Sequence, residues 1–415
     1  MTRDAGREWS RRPGSVLGPA ALLCGLLGAC GGSTPSGPTT PAPAPSPEPA
    51  VGGFLHVLQS GTVITYVIDG ATGRLRQSTT QAVGDAHTLA GEPLGRYLFA
   101  AFGPRGGPPY SDPSIVAYAP DPLSGSLTTL SEASSDPIWC KCCAAWGRSG
   151  GWYWLAASST RVYGMWFTGT YHDTYHTYVT HVVGAGGQLG PAYQRDFGEW
   201  DPGEVAVDVD SAVFYKGTYE GTLTAHFVEA DGRLTQMGTS RLCLAATLGE
   251  ARPLAAARGF VFASSYVDDE DTVCSWESPR LAPRANLELR STYAVAFAPR
   301  SGASSSSATT LVAMRMGTAA MRPYEVRLFA LGDAGALEPL DTVAPGYPRQ
   351  LLFHPSGRFL YASHAASPAA SSGSLTVYSI DSLGHLAVVE TVPDGGGAMA
   401  VTLPPARASA GPSTD

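Results

Sequence analysis

The sequence predicts an all-β protein, a seven-bladed β-propeller of four-stranded antiparallel blades, and three observations carry that expectation. Gly and Pro supply 49 and 33 of the 415 residues, a filler suited to many turns between short strands. A turn pattern ending in Gly-x-Leu recurs along the chain, and an apolar strand recurs in phase with it. The composition, 44% hydrophobic against 15% charged, is that of a folded chain and not of a disordered one.

The turn pattern appears at Asp69 to Leu75, Asp121 to Leu127, Gly187 to Leu189, Asp231 to Leu234, Gly335 to Leu337 and Asp381 to Leu386. Its glycines are 52, 62, 45, 103 and 49 residues apart, so the long interval hides one degenerate copy near residues 280–290. The apolar strand starts at Phe54, Tyr97, Trp152, Ala212, Phe260, Thr310 and Phe359, seven times without a gap. Each copy continues into an alternating segment such as Ser374 to Asp381, then the glycine turn, then a further strand such as Ala387 to Val392. Period-two strands joined by tight Gly/Asp turns, four in about fifty residues, describe a propeller blade. A stacked solenoid is the alternative, but closure into a ring hides the sheet edges.

Ahead of the repeats, Arg3, Arg7, Arg11 and Arg12 precede an apolar run from Val16 to Leu27, the length of a signal-peptide core and too short to span a bilayer. The run ends in Leu27-Gly28-Ala29-Cys30, which resembles the lipobox of bacterial lipoproteins. That resemblance implies removal of residues 1–29, lipidation of Cys30, and a lipid bilayer of the bacterial cell envelope as a partner. An ordinary secretory signal is the alternative. Residues 30–52 then form a Pro/Ser/Thr-rich tether, residues 53–404 the propeller, and residues 405–415 a disordered tail.

The formal charge is −8, and Lys141 and Lys216 are the only lysines, so no basic stripe is present to neutralise phosphates and nucleic acid is not expected as a partner. No Gly-x-Ser-x-Gly elbow, His-Glu-x-x-His helix or phosphate-binding glycine loop occurs, and no cofactor is expected. His172, His176 and His181 lie close together, but the third has the opposite strand parity, so no metal site is expected there. Aromatic density and the 62-residue interval suggest instead an inserted hairpin over residues 165–178 on the third blade, which reads either as an exposed recognition loop or as plain packing. Asp268 to Asp271 lack the spacing of a calcium loop and read as a solvated acidic turn. Cys140, Cys142, Cys143, Cys243 and Cys274 remain after the signal and the lipidated residue, an odd number in an oxidising compartment. Candidate disulfides are Cys243 with Cys274, and Cys140 with Cys142 or Cys143; a soft metal on the cysteine cluster is the alternative.

Residues ten before each apolar strand should occupy equivalent points at the start of the innermost strand, around one rim of the axial channel. The count gives His87, Cys142, Asp201 or Pro202, Glu250 and Arg349, and alignment of Phe297-Ala-Pro299 with Phe353-His-Pro355 adds Tyr293. Such groups suit a small anionic or hydroxylated ligand, with His87, Tyr293 and Arg349 binding, Arg349 gripping a carboxylate or phosphate, and His87 as base. The alternative is that they satisfy backbone ends at a wet channel mouth.

Residues 346–361, Gly-Tyr-Pro-Arg-Gln-Leu-Leu-Phe-His-Pro-Ser-Gly-Arg-Phe-Leu-Tyr, together with Ser374 to Leu386, resemble the lactonase family of seven-bladed propellers. That family includes one type of 6-phosphogluconolactonase and the propeller muconate-lactonising enzymes. The resemblance implies catalytic roles for Arg349, which matches the Arg of a Pro-Arg-His motif, and for His87, six residues before Pro93 as Arg349 is six before Pro355. The family's Glu is replaced by Ala365 and its motif His by Gln350, leaving Glu250 as a candidate acid. The reading is therefore an envelope lipoprotein that binds a ligand or a protein partner at the channel rim. The alternatives are a hydrolase of sugar or aromatic lactones and a non-catalytic envelope scaffold. Export argues against a phosphorylated cytoplasmic substrate.

Overall fold

The computed structural model describes residues 51–404, apart from 104–112, 135–148, 170–173, 200–204, 210, 219–220, 242–249, 258, 268–269, 278–280, 288–291, 298–309, 317–323, 333–334, 345, 347, 365–372 and 394. It is a seven-bladed propeller of four-stranded antiparallel sheets, with no helix among the described residues.

The chain opens with β1 (Val51–Gln59), β2 (Thr62–Asp69) and β3 (Leu75–Ala82), which form three strands of the first blade. The second blade is β4 (Ala86–Gly91), β5 (Leu98–Phe102), β6 (Ser114–Pro120) and β7 (Leu127–Ser134). The third is β8 (Ser149–Ala157), β9 (Arg161–Gly169), β10 (Thr174–Val183) and β11 (Leu189–Glu199). The fourth is β12 (Val205–Asp208), β13 (Val213–Gly217), β14 (Thr222–Val228) and β15 (Leu234–Arg241). The fifth is β16 (Glu250–Ala257), β17 (Phe260–Val267), β18 (Glu270–Glu277) and β19 (Ala282–Leu287). The sixth is β20 (Thr292–Phe297), β21 (Thr310–Met316), β22 (Glu325–Leu331) and β23 (Leu337–Val343). The seventh is β24 (Pro348–Phe353), β25 (Phe359–His364), β26 (Ser374–Ile380) and β27 (Leu386–Pro393). The last strand, β28 (Ala398–Thr402), returns to pair with β1, Phe54 opposite Thr402, and completes the first blade as its innermost strand.

Closure is reinforced by side chains. His56, fully buried on β1, lies with Nδ1 3.0 Å from Thr65 Oγ1 on β2 and Nε2 2.8 Å from Thr402 Oγ1 on β28. The apolar core is distributed over seven clusters, one at each seam between neighbouring blades. At the closing seam Leu55, Val57 and Met399 of the first blade pack on Phe359, Tyr361 and Val377 of the seventh. The second strands are buried on both faces for this reason, whereas the fourth strands alternate and face solvent.

The recurring Gly-x-Leu turn has a physical cause. Gly125, at φ +71, abuts the preceding blade so closely that an added Cβ would sit 2.5 Å from the Phe54 ring. The leucine two residues on has its backbone held by the preceding blade's fourth strand. Gln81 both accepts from the Leu127 N–H at 3.1 Å and donates to the Leu127 carbonyl at 3.0 Å. Ser131 accepts from Leu189 N–H at 2.9 Å, Asp341 accepts from Leu386 N–H at 2.6 Å, and Glu390 accepts from Leu75 N–H across the closing seam. The degenerate fifth copy falls between β18 and β19, where Leu281 occupies the leucine position and itself takes φ +51.

Two sequence expectations change. Counting by the apolar marker puts Trp152 in a second strand, but it lies in β8, the first strand of its blade, because β8 and β9 are both rich in aromatic residues and either fits the marker. Residues 165–178 are not an insertion: residues up to 169 and from 174 on are paired continuations of β9 and β10, Thr174 opposite Gly169, with Trp166 and Tyr178 in the seam cores. The third blade simply has longer strands.

Candidate functional site at the channel rim

The innermost strands β28, β4, β8, β12, β16, β20 and β24 follow one another around the channel. β24 is tied to β28 by Gln350, and β28 to β4 by the Leu403 N–H, which donates to the Gly95 carbonyl at 3.2 Å. Because each blade has the same topology, all seven begin at one rim.

Three of the predicted residues lie at matching irregularities in these strands. Between Ala86 and Thr88 the pairing of β4 with β5 skips His87. Between Thr292 and Ala294 the pairing of β20 with β21 skips Tyr293, and between Pro348 and Gln350 that of β24 with β25 skips Arg349. Each is a bulge residue four positions before the last residue of its strand. A fourth bulge at the same place is Tyr153 of β8, so the third blade's rim residue is Tyr153 and not Cys142, which lies outside the described residues.

Glu250 is placed differently. The turn between β16 and β17 is two residues shorter than that between β24 and β25 when Val261 is matched to Leu360, so counting back ten overshoots. Arg252 pairs with Ser264 as Gln350 pairs with Ser363, and Glu250 opens β16 opposite Tyr266. The bulge of that strand falls at Leu254.

His87 and Arg349 are both exposed, and they flank the innermost strand of the first blade, β28, which is preceded at the corresponding point by Gly397. A Cβ at Gly397 would collide with the Leu58 carbonyl, so this point is held small by the backbone around it. No side chain therefore separates the two at this point. Although His87 is open to solvent on one side, Gly103 lies beneath the ring, where a Cβ would come 2.7 Å from Nε2. Partial burial lowers the His87 pKa below its ordinary value, with Asp85 offsetting some of the effect, so the imidazole is neutral near pH 7.

Gln350, in place of the motif His, acts on the backbone: its Oε1 accepts from the Met399 N–H at 2.7 Å and its Nε2 donates to the Met399 carbonyl at 3.1 Å. His364, on β25 opposite Pro348, is buried with Nε2 3.1 Å from Thr376 Oγ1. Sequence reasoning missed Tyr153 and the Gln350 clamp; the aromatic first strand of the third blade conceals the former.

The other candidates scatter. Cys274 lies on β18 opposite Ala263 and Asn286, while Cys30, Cys140, Cys143 and Cys243 lie outside the described residues. His176 and His181 are buried on β10, with His181 Nδ1 2.9 Å from the Gly190 carbonyl, and His172 lies outside the described residues. Among the described residues no group of three or more His, Cys, Asp or Glu side chains could hold a metal ion.

No protein-family model matches this chain, and no curated protein matches it. Solved structures do. The periplasmic gluconolactonase of Pseudomonas aeruginosa superposes with a TM-score of 0.58 at 16% identity, over 85% of this chain and 99% of its own. A Bacteroides fragilis NCTC 9343 protein assigned as a 6-phosphogluconolactonase gives 0.57 at 13% identity, over 86% of this chain and 99% of its own. The likeness is one of fold, a seven-bladed propeller. The rim offers one neutral imidazole and one guanidinium on either side of Gly397, with Tyr153 and Tyr293 at the corresponding positions of other blades.

Proposed function

We propose that this chain is an exported, lipid-anchored propeller that binds a small anionic or hydroxylated ligand at the channel rim, through His87 and Arg349 with Tyr293 farther round. The observation that carries this reading is that each of the three interrupts its strand at the same bulge, while the corresponding point between His87 and Arg349 is Gly397. Arg349 would clamp a carboxylate or phosphate by two parallel hydrogen bonds, and the neutral His87 ring would accept or share a proton from a hydroxyl.

The second reading is hydrolysis of a sugar or aryl lactone. It is favoured by the lowered pKa of His87, which leaves the imidazole able to take a proton from an attacking water, and by the two lactonase folds. Arg349 would then oppose the negative charge that develops on the lactone carbonyl oxygen. The scaffold reading needs neither residue.

One assay separates the three. The detergent-solubilised full chain is tested for binding and turnover of sugar and aryl lactones and their hydroxy acids, beside His87→Ala and Arg349→Ala. Saturable binding that weakens at least tenfold in both variants is expected. Turnover abolished by either substitution adds the lactonase chemistry, and neither binding nor turnover leaves the scaffold.

A further inference from the structure

We infer that the face of the propeller opposite the His87–Arg349 rim is a bilayer-facing surface that seats the leucines Leu94, Leu123 and Leu383 in the lipid interface. The inference rests on the proposed anchoring at Cys30.

The innermost strands run from the rim to this face. β28 ends here at Thr402, and β1, antiparallel to it, begins here at Val51, so the chain enters the propeller on this side. Turns of the seventh, first and second blades touch around that point. The Leu403 N–H donates to the Gly95 carbonyl at 3.2 Å, His354 Nε2 lies 3.2 Å from the Gly52 carbonyl, and Arg358 donates to the Ala71 carbonyl at 3.2 Å.

The two blades that flank the first carry the three most exposed leucines among the described residues: Leu94 at 60%, Leu123 at 79% and Leu383 at 70%. Single exposed apolar side chains are ordinary, but these three lie in turns at the same end of the propeller as the entry of the chain. Two are presented by the same device. Asp121 Oδ1 accepts from the Leu123 N–H at 3.0 Å, and Asp381 Oδ1 accepts from the Leu383 N–H at 2.9 Å. Each turn folds its carboxylate onto its own backbone and holds the leucine outward. Arg74 and Arg358 are exposed on the same face, within reach of headgroup phosphates.

The twenty residues between Cys30 and Val51 reach at most about 65 Å when fully extended. A tether of that length keeps the face at an effective concentration on the order of mM beside the membrane, so shallow apolar contacts suffice to seat it. Without residues 1–29, which hold four Arg and two acids, the formal charge is 23 minus 33, or −10, and favours zwitterionic over anionic lipid. Seated this way, the His87–Arg349 rim opens away from the bilayer.

The test uses the full chain, purified from the envelope and reconstituted into phosphatidylcholine vesicles containing brominated phosphatidylcholine. Leu123→Trp, Leu383→Trp and, as a control at the rim-side end of β3, Ala82→Trp are each compared with the parent, and intact mass reports the diacylglyceryl group on Cys30. With lipid on Cys30, the added tryptophan at 123 and 383 should be quenched at least twofold more than that at 82. Equal quenching at all three overturns the inference. Unquenched but blue-shifted emission at 123 also overturns it, with a partner protein or a second copy covering the face. Absence of the lipid mass removes the anchoring reading and the inference together, and the mass distinguishes that failure from the others.

Discussion

Gln350 grips the backbone of Met399 from both sides, Oε1 on its N–H and Nε2 on its carbonyl, and so joins the innermost strands of the seventh and first blades. The two residues are 49 positions apart. Gln350→Leu leaves both backbone groups without this partner, at a cost of about 1–3 kcal/mol. Urea unfolding should show the midpoint falling with an unchanged slope, and an unchanged midpoint would mean the clamp is idle.

His56 makes stability depend on acid. Burial holds its pKa at about 3, against an ordinary value of 6.5, so the folded protein keeps the ring neutral while the unfolded chain takes up a proton below pH 6.5. Stability is therefore full above pH 6.5 and is lost as pH falls from there toward 3. The loss is about 1.4 kcal/mol per pH unit across most of that window. His226, held at about 4 by burial and by nearby Arg195 and Lys216, adds a similar loss down to pH 4. Between pH 7.5 and 4.5, His56→Gln should lose about 2–3 kcal/mol less than the parent in denaturant titrations.

Two glycines with nearly the same backbone should respond differently to alanine. Gly84, at φ +81, has nothing within 4 Å of an added Cβ, so Gly84→Ala meets only the left-handed strain, about 1 kcal/mol. Gly125, at φ +71, faces Phe54 at 2.5 Å and Thr65 at 2.7 Å, so Gly125→Ala adds overpacking of about 1–3 kcal/mol. Thermal melts of the pair should separate them by several degrees.

Seam carboxylates should outweigh surface ion pairs. Asp341 accepts from the Leu386 N–H at 2.6 Å across the seam between the sixth and seventh blades, and Asp341→Ala should cost about 1.5–3 kcal/mol. The Arg233–Asp231 pair, at 2.7 Å but exposed on both sides, should change stability by less than about 1 kcal/mol when Arg233 is replaced by Ala. Chemical denaturation of the two variants side by side checks the order.

The repeat was legible because its glycines pack on the neighbouring blade at Gly73, Gly125, Gly187, Gly232 and Gly384. Gly125 against Phe54 and Leu127 against Gln81 are one contact repeated, so the spacing carries the architecture. What the sequence concealed follows from local length changes. The short turn after Ala257 carried the count past the matching positions to Glu250, and the aromatic third blade disguised β8 as a second strand, hiding Tyr153. His87, Tyr293 and Arg349 were found because the second, sixth and seventh blades keep the same strand length between bulge and turn. That Gln350 serves the backbone was not legible, since its partner Met399 belongs to a strand that returns from the far end of the chain.

Synthesis proceeds from β1 to β28, so the ring stays open until nearly the whole chain has been made. Until residues 398–402 are in place, one edge of β1 offers unpaired backbone groups along Phe54 to Leu58, flanked by apolar side chains, a template for any other extended chain nearby. A stop codon that removes only the last eighteen residues would leave every other blade intact and make a product that is sticky rather than merely shortened.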